Sequence, residues 1–351
     1  MLLPNGDETV MELLCRWFPR RSCRRLTRAL SGSEFVAEAQ PSECDADDLR
    51  ISPYPDFSLL CDIAEYALVT AGMKANGLSI VCPHLADCLH CYPLWILSLW
   101  LEIEELRMRH LKPWRTAVAV LKQPNGSALD ADILGSLAKI RYSSKIKGCD
   151  KDMTPVSSLA IYPTQEWLGS THEVQMLETL RRSLQMENIV HFETADCVFF
   201  ETLLRLRRST TVKAYLTSKH TAWMRRLGEK VSQKLMWRIG GTVNVRGCHW
   251  VAVVINFEDN LVLYGDSMGH SPPVPLVRAI LWWIRIHTNK RFRWDNLSIT
   301  RQTDGHSCGL LAFNAVAHNF IPHRYPLIRM CDVHQARLSM MMDVINIHLS
   351  S

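Results

Sequence analysis

The sequence predicts an α+β fold for residues 158–351, a central mixed sheet flanked by helices, preceded by a mainly helical region over 56–142. Three observations lead there. In the C-terminal part, runs rich in β-branched residues (Trp250–Phe257, Leu261–Tyr264) alternate with segments of helical period such as His172–Leu184 and Pro275–His287. Residues 56–142 show the helical period, as in Phe57–Val69 and Leu94–Leu111. Between these parts, 143–157 is polar, charged and interrupted by Gly148 and Pro155, the pattern of a linker.

The elements follow in order. Residues 1–55 are expected to be a weakly ordered basic and acidic segment, with six arginines from Arg16 to Arg28 and then Glu43, Asp45, Asp47 and Asp48. The arginines read as a solvated face or tail, with a nuclear-import patch as the sharper alternative. In 56–142, Leu99, Ile103 and Leu106 share a helix face that Pro113 should end. Trp95, Trp100 and Trp114 suggest a packed aromatic core, and Ala128–Ala138 another helix. Cys82, His84, Cys88, His90 and Cys91 are zinc-type donors, but one compressed loop would have to supply every ligand, so they read as half-buried thiols and imidazoles and no metal is expected. Past the linker, Cys197–Leu206 reads as a helix, and Leu297–Arg301 as a strand delivering Gln302. Cys308–His318 reads as a buried helix opening at the cysteine, and Cys331–Leu349 as a terminal amphipathic helix.

Bulk properties narrow the function classes. At 351 residues and 47% hydrophobic composition, two domains with a sizeable core are available. A net charge of +5 is too weak to indicate a nucleic-acid partner. The longest apolar run, Leu94–Leu101, falls far short of the ~20 residues of a membrane span, so no membrane partner is expected. Met1–Pro4 leads straight into Asp7, Glu8 and Glu12 without an apolar leader. Twelve scattered cysteines then fit a soluble, reduced, intracellular chain.

One constellation carries chemistry. His249 stands 17 residues before Asp266, and Gln302 six before Cys308. These are the parts of a thiol hydrolase: Cys308 to attack, His249 to take its proton, Asp266 to hold the imidazole, and Gln302 to donate to an oxyanion. A hairpin of the two predicted strands brings His249 and Asp266 together. A helix N-terminus and an imidazolium would both lower the Cys308 thiol pKa. Gly309 keeps the backbone open beside it. His306 lies too close along the chain to serve as base, His318 too far along the helix, and Asp304 lacks the strand-end context of Asp266.

The order His249-Trp250, Tyr264-Gly265-Asp266-Ser267, Gln302, Cys308-Gly309, with Trp167-Leu168 upstream, resembles the SUMO- and ubiquitin-like-specific cysteine proteases and their adenain-like clan. Ser307 and Cys248 depart from the family, which commonly has Asp before the nucleophile and Asn or Asp before the histidine. The resemblance covers 158–351. It implies a papain-like fold, no cofactor, and a ubiquitin-like modifier as partner, SUMO foremost, in the nucleus or cytoplasm. It also implies that Trp167 and Trp250 form a slot over the modifier's diglycine tail. A catalytically silent modifier-binding module and an acyltransferase of the same clan are the alternatives. The added helical region also looks similar to genes associated with fungal transposons.

Overall fold

The computed structural model describes residues 3–18, 32–38, 54–73, 78–81, 91–124, 126–149 and 153–351. Arg20–Arg28, the acidic patch at 43–48 and the zinc-type donors Cys82 to His90 lie outside the described residues. The described chain divides into two compact units, residues 1–116 with 137–143, and residues 117–136 with 144–351. Among the described residues, no helix is long and apolar enough to cross a membrane.

The first unit is less purely helical than expected. Helix α1 (Val10–Cys15) opens with a capping box: the Thr9 hydroxyl accepts the Glu12 amide at 3.2 Å, and the Glu12 carboxylate accepts the Thr9 amide at 2.7 Å. It buries Val10 and Leu13. Strand β1 (Val36–Glu38) joins an antiparallel sheet with two further strands, so these parts of 1–55 are structured rather than loose. After α2 (Phe57–Met73) come those partners, β2 (Leu78–Val81) and β3 (Cys91–Pro93). Strands of three or four residues are too short for a period-2 pattern to stand out. Helix α3 (Ile96–Leu106) widens into a π-turn over Arg107–Leu111 and continues as α4 (Lys112–Leu121). Pro113 falls directly after the π-turn, where the wider backbone makes room for its ring, and does not end the helix. Trp100 and Trp114 are buried, Trp100 stacked on Tyr54 at 6.1 Å, but Trp95 is exposed.

The second unit includes α5 (Ala128–Leu137). Of the stretch read as a linker, the described residues 144–149 and 153–157 belong to this unit: Ile146 and Val156 are fully buried, and Lys145 bridges Pro155. Beyond it run α6 (Ser170–Met186), β4 (Phe192–Thr194), α7 (Cys197–Ser209), α8 (Val212–Thr217), α9 (Ala222–Ser232) and β5 (Arg238–Val245). Then follow β6 (His249–Asn256), β7 (Leu261–Gly265), α10 (Val274–Thr288), β8 (Arg293–Asn296), α11 (Cys308–Phe320) and α12 (Val333–Ser350). The five strands stand in sequence order, antiparallel at the centre and parallel at both outer pairs, a mixed sheet. Strand β8 ends before the Leu297–Arg301 stretch expected to be a strand.

Strand β6 is covered on both faces, which is why it reads as an unbroken apolar run. Val251, Val253 and Ile255 join the cluster of Phe199, Phe200, Tyr215 and Trp283. Trp250, Ala252 and Val254, equally buried, alternate with them, and α11 packs on β5 and β6. Strand β5 escapes a sequence reading because Gly240 and Gly241 interrupt it. Both are sites of close approach: a Cβ at Gly240 would lie 2.7 Å from the Phe320 ring, and one at Gly241 would overlap the Ala195 carbonyl.

Candidate active site

The hairpin of β6 and β7 pairs Ala252 with Gly265. Asp266, the next residue, is thereby carried beside the start of β6, where His249 stands. His249 Nε2 meets Asp266 Oδ1 at 2.8 Å. The same oxygen accepts the Met268 amide at 2.7 Å, and Oδ2 accepts the Tyr264 hydroxyl at 3.4 Å. Asp266 is buried, and as an ionised carboxylate it can only accept, so it fixes Nε2 as the protonated nitrogen. Nδ1 is left to face the thiol.

Cys308 is the first residue of α11 and is 2% exposed. The Trp167 indole N–H donates to its sulfur at 3.2 Å. Burial pushes the thiol pKa up, but hydrogen bonds from His249, the Trp250 amide and Trp167, with the His249 charge, more than offset this and hold it below the usual thiol value. The partner shift is complementary. The hydrogen bond to Cys308 raises His249 most, burial opposes it, and Asp266 adds to the rise. Both shifts favour a thiolate–imidazolium pair.

Gln302 is anchored at both ends. Its amide donates to the Ser267 carbonyl at 2.9 Å, and the Ser267 hydroxyl donates to its Oε1 at 2.9 Å. Nε2 donates one hydrogen to the Asp304 carbonyl at 2.7 Å. An amide nitrogen has two hydrogens, so one remains. The loop to Cys308 is tied by the Asp304 carboxylate, which accepts the His306 amide at 3.0 Å, the Ser307 amide at 2.9 Å and the Ser307 hydroxyl at 2.5 Å. Burial works against the Asp304 carboxylate, but these bonds lower its pKa. Asp304 is thus a turn-former, and Ser307 its fully buried partner. The rival histidines are engaged elsewhere: His306 lies 3.6 Å from Asp304, and His318 Nδ1 meets the Tyr325 carbonyl at 2.9 Å.

Trp167 and Trp250 stack at 5.6 Å with an interplanar angle of 22°. Trp250 is fully buried and donates to the Leu168 carbonyl at 2.7 Å, while Trp167 is half-buried. In this conformation Trp167, the accessible member of the pair, rests on Trp250 and on the sulfur, so the two rings lie against each other in the free site. At Gly309 a Cβ would overlap Glu173 Oε1, so the glycine admits a buried carboxyl behind the cysteine.

Sequence reasoning missed Ser267 and Tyr264 as supports of Gln302 and Asp266, although both stand in the quoted motif. It missed Glu173 altogether, since an acid in an amphipathic helix reads as solvated. Among the described residues, His249, Asp266 and His270 bring donor atoms within 4.8 Å of one another. Two of these already share a proton, so the hydrogen bond accounts for the grouping without a metal.

The description "Ulp1 protease family, C-terminal catalytic domain" matches residues 166–348, just over half of the chain. The chain belongs to the Ulp1 protease family. His249, Asp266, Gln302 and Cys308 all lie inside the matched span. Solved Ulp1-family structures are similar to it. The Ulp1 SUMO protease with its catalytic cysteine oxidised to a sulfenic acid is 16% identical at a TM-score of 0.48, over 64% of this chain and 97% of that one. The C-terminal Ulp1 domain in complex with Smt3, the yeast ortholog of SUMO, is 17% identical at 0.48, over 63% and 95%. The Ulp1-like SUMO protease catalytic domain of Chaetomium thermophilum is 15% identical at 0.45, over 64% and 90%. No curated protein matches the chain.

Proposed function

We propose that this protein is a thiol protease that cleaves after the C-terminal diglycine of a ubiquitin-like modifier, SUMO foremost. The observation that carries this reading is the chain Cys308–His249–Asp266, with the thiol held below and the imidazole above their ordinary values. The Cys308 thiolate attacks the last glycyl carbonyl carbon. The oxyanion is met by the free Nε2 hydrogen of Gln302 and by the Cys308 amide, which at the start of a helix has no intrahelical partner. The His249 imidazolium protonates the leaving amine, and a thioester remains. Water, deprotonated by His249, then attacks the thioester, and the modifier leaves as a carboxylate.

Trp167 must leave the sulfur for this to happen, because its N–H occupies the nucleophile in the free site. Once displaced it can cover an extended diglycine, a segment without side chains that passes where bulkier residues would not. A catalytically silent binding module has no use for a thiol so tuned, which favours turnover. The SUMO preference rests on the family.

The test is intact mass after mixing the protein with SUMO, ubiquitin and other modifiers carrying a C-terminal propargylamide. We expect a SUMO adduct that is absent in Cys308→Ala. No adduct with any modifier, from a folded sample, would sink the reading.

A further inference from the structure

Glu173, in the first turn of α6, is fully buried, and neither carboxyl oxygen has a hydrogen-bond partner of good geometry. A buried carboxyl so placed demands an explanation. Its Oε1 lies against the place where a Cβ on Gly309 would stand, a space that Leu168 and the Trp250 ring edge also border, and the buried Thr242 hydroxyl of β5 is turned toward it. The groups that face it electrostatically are Cys308 on α11, with His249 beyond it, Cys197 at the start of α7 and Tyr162, which caps a 3₁₀ turn over Val156–Ile161. None of these is a cation in direct contact. The Arg337 guanidinium of α12 gives Nε and Nη2 to the carbonyls of Ile161, Tyr162 and Glu166 and makes no bond to Glu173.

Burial, eased by Thr242 and reinforced by the Cys308 charge, pushes Glu173 up to about 8. The N-terminus of α11 offers one favourable place for negative charge, and two acidic groups lie against it. A second anion there would sit in apolar surroundings beside the first, as in like-charge carboxyl pairs that cannot both ionise.

We propose that Glu173 and Cys308 form a coupled pair holding a single negative charge, the proton kept on Glu173 while the charge stands on the sulfur. This rests on the reading of Cys308 as nucleophile. It makes Glu173 a positioning residue, acting through Cys308 and touching no substrate: its protonated form leaves the helix N-terminus to the thiolate and then to the oxyanion. Coupling is reciprocal, so removing the thiolate must make Glu173 more acidic.

The experiment follows the carbonyl infrared band of the protonated carboxyl, identified as the band lost in Glu173→Gln, from pH 5 to 10 in the full chain. We expect the band to disappear with a midpoint of about 8. In Cys308→Ala, and after iodoacetamide capping of Cys308, the midpoint should fall by on the order of one pH unit. A midpoint that does not move, or the absence of any Glu173-dependent band, would overturn the pair. Should Gln fail to fold, Glu173→Met supplies the same difference spectrum. A missing modifier adduct would count against the protease reading alone, since the infrared result needs no modifier.

Discussion

At Cys308 one cost and several gains decide the chemistry: burial disfavours a thiolate, and three hydrogen-bond donors with one imidazolium outweigh it. Each support can be removed singly. Gln302→Ala should lower kcat by about 10²- to 10³-fold with little change in Tm, since it removes an oxyanion donor and little buried surface. Asp266→Asn keeps the shape but offers an N–H where His249 needs an acceptor. Turnover should fall by on the order of 10⁴-fold, as for a mis-set tautomer, with the loss read in kcat and the thermal midpoint as control. The pH profile of kcat/KM should be bell-shaped, its acid limb set by the lowered thiol and its alkaline limb by the raised imidazole. These residues were legible because their chemistry needs particular side chains at particular spacings. Glu173 was not, because nothing in its neighbours along the chain distinguishes a buried acid from a solvated one.

Among the elements, close approach decides which glycines are needed. Gly241→Ala would drive a methyl into the Ala195 carbonyl and should cost at least about 2 kcal/mol in urea unfolding. Gly135, within α5, has nothing within 4 Å of its missing Cβ, so Gly135→Ala should stabilise by about 0.5–1 kcal/mol. That opposite sign tests the account. The long helices were legible from period, and the β6–β7 hairpin from its runs of β-branched residues. Strand β5 was hidden by its paired glycines, and β4 by its three-residue length. The strand expected over Leu297–Arg301 lies earlier, at Arg293–Asn296. What holds Gln302 is the Ser267 carbonyl, a long-range contact invisible in local pattern.

For the molecule as a whole, buried titratable groups make stability depend on pH with two opposing signs. Burial lowers His172, and lowers His287 to about 4, against an ordinary 6.5. Below 6.5 the unfolded chain takes up protons there that the folded one refuses, so stability falls with acid. Glu173 keeps its proton to about 8 in the fold but loses it above 4.5 when unfolded, so stability falls as pH rises through that window. The Cys308 and His249 shifts oppose each other. The urea midpoint should therefore fall with acid below 6.5 through these histidines and fall again above it through Glu173. Glu173→Gln should remove an alkaline slope of about 1.4 kcal/mol per pH unit. By itself the sequence determined the candidate constellation, the family and the α+β class. These depend on residue identity, spacing and period, which are properties of the chain read in one dimension. Only the tertiary structure decided that Trp250 is buried beneath Trp167, that residues 144–149 and 153–157 pack within the second unit, and that a carboxyl lies behind Cys308. Burial and the charge it suppresses belong to neighbours far apart along the chain, and no local pattern encodes them.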